Sequence, residues 1–307
     1  VFTEQEYNLS QKLNFYANQI VEGYIAGLHK SPFHGYSSEF SEHRLYNTGE
    51  STKHIDWKVF ARTNRLYTKK YEEETNLRCQ FILDNSSSMY FPSINNPSPK
   101  KLNKIYFSCL MIASLCKLME KQREAVGLSV FNNKLELNTE QKSSFKQYTY
   151  IYDYLQQICQ SMTNDTRSTD IINLNKIVAK LKRRSLIIVF SDLFKNSNDS
   201  SDLFKTLKNL KFNKHQVILF HVFDSDKELE LNYSNKPKKF IDVETNDHVN
   251  LLGDDAKEEY NVRVTDYFKE LKKICAKYKI NYYPADIKKE FNAIINKFMI
   301  QKQYYSY

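Results

Sequence analysis

Three segments constrain the fold of this chain more than any others: "RCQFILD" (78–84), "SLIIVFSD" (185–192) and "QVILFHVFD" (216–224). Each is a near-continuous apolar run of strand length rather than helix length. Runs of that kind belong to strands buried on both faces, the condition of a parallel sheet with helices above and below. Helical patterns fall between and after them, over 101–123, 144–162, 170–182, 201–211, 257–279 and 287–301. The first follows a Pro-containing loop, "FPSINNPSPK", that stops a regular element from starting earlier. "AVGLSVF" and "KLELNT" read as a hairpin turning at Asn132–Asn133, "INYYPAD" as a further strand, and "KFIDVET" with "HVNLLG" as an edge hairpin. The predicted fold is α/β, a doubly wound, mostly parallel sheet over 77–307. An N-terminal helix and strand extension precedes it over 1–76, with an amphipathic helix over 9–29, a short helix over 51–63 capped by Ser51 or Thr52, and a strand over 66–74.

Composition narrows the classes of function. Lys and Arg number 45 against 36 Asp and Glu, a formal charge of +9, which favours an acidic partner. The basic residues are spread along the chain, and the Tyr and Phe fall at core spacing, so nothing organises them for nucleic acid. The five cysteines (Cys79, Cys109, Cys116, Cys159 and Cys275) include no CxxC pair and no zinc spacing, and read as reduced cysteines of a cytoplasmic protein. The polar start "VFTEQEYNLSQKL" is not a signal peptide, and the longest mainly apolar run, 105–116, is too short to span a bilayer.

The first and second apolar strands both end on an aspartate, Asp84 and Asp192, and Asp84 is followed by Ser86 and Ser88 in "DNSSS". In an open α/β sheet, ligands bind beyond the carboxyl ends of the strands. With Thr169 in "DTRSTD", two carboxylates and three hydroxyls would meet at one sheet edge. An all-oxygen set suits a hard divalent cation, and Mg²⁺ asks for six ligands, so water or a partner must complete the shell. An extended loop would put Asp84, Ser86 and Ser88 on one side. Each element also has an ordinary reading: Asp192 capping a helix that begins near Leu193, Thr169 or Asp170 capping the next, the serines as turn residues. An enzymatic alternative, a metal-dependent phosphohydrolase with Asp84 as nucleophile, wants a second carboxylate at the position of Ser86. No Gly-rich phosphate loop, GxSxG or HExxH is present. His215 and His221, flanking the third apolar strand, read as structural or surface residues.

"DNSSS", Thr169 and Asp192 together resemble the metal-ion-dependent adhesion site of von Willebrand factor A domains. The upstream stretch "EFSEHRLYNTGESTKHIDWKVFARTNRLYTKKYEEETNL" resembles the signature of the domain of unknown function 58 family through Arg44, Tyr46, Gly49, Glu50, Ile55, Asp56, Trp57, Ala61, Arg62, Lys69 and Glu72 to Glu74. The resemblance implies a von Willebrand factor A-like domain without enzymatic activity, whose Asp84, Ser86, Ser88, Thr169 and Asp192 hold a weakly bound Mg²⁺ (or Mn²⁺ or Ca²⁺). It implies partnership with a MoxR-type AAA+ ATPase or its client as an adaptor or cochaperone. One departure is that "TRSTD" lacks the glycines such domains often carry before the threonine, which makes that loop stiffer. Arg44, Asp56 and Arg62 are expected to form a buried ion-pair network pinned by Trp57, the alternative being a surface on which a partner docks.

Overall fold

The computed structural model describes residues 13–22, 40–47, 52, 55–71, 77–94, 97–99, 101–161, 168, 171–181, 184–193, 206, 208–209, 214–231, 238–241, 248–251, 254–289, 291 and 293–295. The chain divides into two units, residues 33–77 and the remainder, so the first 32 residues group with the large unit.

In the small unit, β1 (Phe40–Leu45) pairs antiparallel with β2 (Tyr67–Tyr71). Between them lies a two-turn helix, Trp57–Thr63, referred to below as the short helix. Its cap is Asp56 rather than Ser51 or Thr52: the Asp56 Oδ1 accepts from the backbone N–H of Lys58 at 3.0 Å and Val59 at 3.2 Å, which satisfies two of the donors a helix start leaves open. The expected buried network is corrected at Arg62 and Trp57: Arg62 is exposed with its Nε on the Lys58 carbonyl, and Trp57 is 61% exposed. Asp56 is buried and its Oδ1 caps the helix, and the Arg44 side chain lies outside what the structure describes. No residue of the short helix is buried, so it offers no core for Trp57 to pin. Asp56→Ala is therefore expected to lower stability by about 1 kcal/mol, and Trp57→Ala to change it by less than about 0.5 kcal/mol, both readable by thermal unfolding.

The large unit is built on one six-stranded sheet. Its strands are β3 (Arg78–Asp84), β4 (Ala125–Phe131), β5 (Leu135–Asn138), β6 (Leu186–Ser191), β7 (Gln216–Phe223) and β10 (Asn281–Asp286). Their order is β10-β7-β6-β3-β4-β5, parallel throughout except for the antiparallel hairpin β4–β5. The segments read as an edge hairpin, β8 (Lys238–Ile241) and β9 (His248–Leu251), instead form a separate two-stranded sheet.

Strand alternation explains the apolar runs. Ile82, Ile187, Val189, Val217 and Leu219 share one cluster with Leu174, Ile177 and Leu271, which come from the helices Ile171–Lys180 and Asp254–Lys277. The intervening residues Phe81, Leu83, Ile188, Phe190 and Phe220 point the other way and are also buried. The helix Lys104–Lys121, here the central helix, covers them, and only Lys117, Glu120 and Lys121 along it are not buried. It packs in turn against the helix Phe145–Gln160, whose Gln156 Oε1 accepts from Leu13 N at 3.3 Å. Cys79, Cys109, Cys116 and Cys275 are buried, and Cys159 is half-buried. No helix among the described residues is long and apolar enough to cross a membrane.

Candidate functional site

The topology places Asp84 and Asp192 side by side. β3 and β6 are neighbours, with Leu83 opposite Phe190. The chain leaves β3 for β4 on one side of it and leaves β6 for β7 on the other. The crevice between their carboxyl ends is the switch point at which α/β sheets bind ligands. Asp84 is the last residue of β3 and Asp192 directly follows β6.

Asp84 is buried, and both its oxygens accept hydrogen bonds: Oδ1 from Ser86 N at 3.0 Å and Oδ2 from Ser191 Oγ at 2.7 Å. Burial, and next the neighbouring charge of Asp192, push its carboxyl up to about 6 from 3.8, against the opposing effect of the Ser191 and Ser86 bonds. The loop after it is not extended as predicted. Ser86 remains extended, but Ser87–Tyr90 curl into one 3₁₀ turn. The turn still brings the Ser86 and Ser88 hydroxyls to 3.0 Å from one another. Asn85 ties this loop to the β4–β5 hairpin. Its Nδ2 donates to Glu136 at 2.7 Å, its Oδ1 accepts from Tyr90 OH at 2.8 Å, and its backbone N–H donates to the Phe131 carbonyl at 2.8 Å. Thr169 lies outside the described residues.

Asp192 is held from the other side. Its Oδ2 accepts from Lys104 Nζ at 2.8 Å, so its side chain pairs with a cation. Lys104 is 1% exposed and also donates to Glu228 Oε1 at 2.6 Å. Burial alone would lower the Lys104 pKa; Asp192 and Glu228 together outweigh it and hold the ammonium above its ordinary value. Glu228 lies in the turn Ser225–Leu229 after β7, and its second oxygen accepts from Asp224 N at 2.7 Å.

The backbone beside Asp192 is strained. Leu193 has φ 53°, a left-handed conformation unfavourable for a branched side chain. Two bonds hold it: its N–H donates to Ser191 Oγ at 3.2 Å and its carbonyl accepts from Tyr267 OH at 2.6 Å. His221 lies within β7 rather than beside it, and is fully buried, with Nδ1 2.8 Å from Tyr282 OH. Burial depresses its pKa to about 4, against the charge and backbone of Asp192.

Sequence reasoning missed Lys104 and Glu228. It also passed over Asp224, which directly follows β7, and Asp286, which ends β10 as Asp84 ends β3. Both are buried: Asp224 Oδ1 accepts from Lys227 N at 3.1 Å and its Oδ2 lies 3.6 Å from Lys288 Nζ, and Asp286 Oδ1 accepts from Ser225 N at 3.2 Å and Lys288 N at 3.1 Å. The same signal, an apolar run ending on an aspartate, is legible in all four strands. Among the described residues no group of three or more His, Cys, Asp or Glu is arranged to hold a metal. A cation at the switch point would therefore rely on the hydroxyls of Ser86 and Ser88 as much as on Asp84 and Asp192. That donor set is all oxygen and fits a hard divalent cation.

The sheet and its strand-end loops make this a von Willebrand factor A-like α/β fold. Comparison with curated proteins finds no match. Among solved structures, the conserved hypothetical protein BatB from Bacteroides thetaiotaomicron is similar at 15% identity, with a TM-score of 0.43, over 75% of this chain and 100% of its own. An aerotolerance-related membrane protein from Bacteroides fragilis is similar at 16% identity, with a TM-score of 0.45, over 75% of this chain and 99% of its own. Residues 42–267 match the sequence model described as protein of unknown function DUF58, and the chain belongs to that family.

Proposed function

We propose that this protein is a non-enzymatic, metal-dependent protein-binding module. In this reading Asp84, Ser86, Ser88 and Asp192, with Thr169, hold a Mg²⁺ whose open coordination position accepts a carboxylate from an acidic partner. The observation that carries it is the meeting of Asp84 and Asp192 at the switch point, beside two serine hydroxyls 3.0 Å apart. The chain's own residues supply the scaffold. Ser191 and the Ser86 amide fix the Asp84 rotamer, Asn85 and Tyr90 hold the serine turn, and Lys104 pairs with Asp192. Against a phosphohydrolase stands the position a general acid would need, which is the hydroxyl of Ser86.

The partner we favour, from the family resemblance and the net charge of +9, is a MoxR-type AAA+ ATPase or its client, met in the cytoplasm. With two carboxylates the free site is weak: for a dissociation constant on the order of 1 mM, ~10 mM Mg²⁺ adds only ~1.4 kcal/mol of stability. The test is capture of the purified ATPase, and of its client, on the immobilised chain in Mg²⁺ and again in EDTA, with Ser86→Ala alongside. Capture in Mg²⁺ that is lost in EDTA and in Ser86→Ala is the expected result. Capture that ignores both contradicts the reading.

A further inference from the structure

Lys104 stands where a cation has no local reason to stand. It is the first residue of the central helix, after the Asn103 cap, where the helix already presents its positive end. It is also 1% exposed. A buried ammonium in that place persists only if anions hold it. Two do: Asp192 Oδ2 at 2.8 Å and Glu228 Oε1 at 2.6 Å. Glu228 is itself fixed, by the Asp224 N–H at 2.7 Å on its other oxygen, so the triad is built from the start of the central helix and two separate strand-end loops.

We propose that Lys104 is a resident counter-cation that sets the affinity of the switch-point site for divalent metal, and that Glu228 tunes it by drawing the ammonium away from Asp192. This rests on the metal-binding reading given above. The ammonium competes for Asp192 and repels a second cation brought to the same carboxylate. Glu228 shares the ammonium and so leaves Asp192 more of its charge. Removing Lys104 makes the site more acidic by one charge; removing the charge of Glu228 leaves Lys104 to Asp192 alone. The two changes must move metal affinity in opposite directions. A lysine that only positioned Asp192 would behave otherwise, since loss of a supporting group outside the ligand shell weakens metal binding by about 10–100-fold.

The test is Mn²⁺ titration followed by electron paramagnetic resonance on wild type, Lys104→Met and Glu228→Gln, each checked for folding by circular dichroism. Lys104→Met is expected to bind about tenfold more tightly than wild type, and Glu228→Gln about tenfold more weakly, in the range of such indirect effects on a metal. Binding that is detectable only in Lys104→Met is the strongest form of the same result. If wild type binds Mn²⁺ and folded Lys104→Met binds equally or less tightly, the counter-cation role is overturned while the metal site stands. Should Lys104→Met fail to fold, Glu228→Gln decides, and equal or tighter binding overturns the role. No saturable binding in any of the three, with the ATPase partner present as well as absent, removes the metal reading and this inference with it.

Discussion

Asp84→Asn is expected to make the metal-free protein more stable at about pH 7 by about 1–3 kcal/mol, while removing its metal binding. The carboxyl of Asp84 is buried beside Asp192, and its pKa rises from 3.8 to about 6. An acid whose folded value is raised binds its proton more tightly when folded. Its contribution to stability is therefore full below about pH 4 and is lost as pH rises through about 6. Above that, the ionised carboxylate is a burden of up to about 3 kcal/mol that only a bound cation relieves. Asparagine keeps the acceptor for Ser86 N and can donate to Ser191 Oγ, so it retains the contacts without the charge. The stability difference between variant and wild type should shrink to near zero at about pH 4. Comparing the two proteins at each pH cancels the opposite effect of His221. That ring is held neutral with its pKa lowered to about 4, so stability falls as pH drops below its ordinary 6.5. Urea unfolding at both pH values measures the difference. An Asp84→Asn protein less stable than wild type near neutral pH would mean that the carboxylate is held as a structural anion instead. In wild type, metal affinity should weaken as pH falls through about 6, where Asp84 takes up its proton.

Asp192→Ala should do the opposite to stability, lowering it by about 3–5 kcal/mol, although it too removes metal binding. Asp192 and Asp84 occupy equivalent places in the sequence, each ending an apolar run. Their surroundings differ. Asp192 is paired at 2.8 Å with an ammonium that is 1% exposed, and its loss leaves that buried ammonium to Glu228 alone. Removing one member of a buried pair strands the other charge, which is the source of the large effect. Denaturant unfolding of metal-free protein measures it. A loss below about 1 kcal/mol would be the value for a surface pair, and would show that Lys104 does not depend on Asp192.

The fold was legible because β3, β6 and β7 are buried on both faces and so are apolar at nearly every position. Such runs can be read without knowing their neighbours. Asp84, Ser86, Ser88 and Asp192 were legible for the same reason, as polar residues that end apolar strands. Lys104 was not. Its partners are 88 and 124 residues away and arrive through the strand order, and a lysine at a helix start reads locally as solvated. The bend after Ser86 was misread because alternation in sequence implies extension, whereas the Ser87–Tyr90 turn unites the hydroxyls by curling. Trp57 was misplaced because a tryptophan beside an aspartate suggests a core. Here one carboxylate oxygen of the aspartate caps the short helix, and the ring stands in solvent, edge-on to Phe60 at 6.1 Å between ring centroids.

The central claim is that the ends of β3 and β6 bind a divalent cation. The most direct measurement is a Mn²⁺ titration of wild type and Asp84→Asn by electron paramagnetic resonance, near neutral pH, with and without the ATPase partner. One saturable site is expected in wild type, tightened by the partner and absent in Asp84→Asn. Equal binding by the two proteins, or no saturable binding by wild type in either condition, would contradict it.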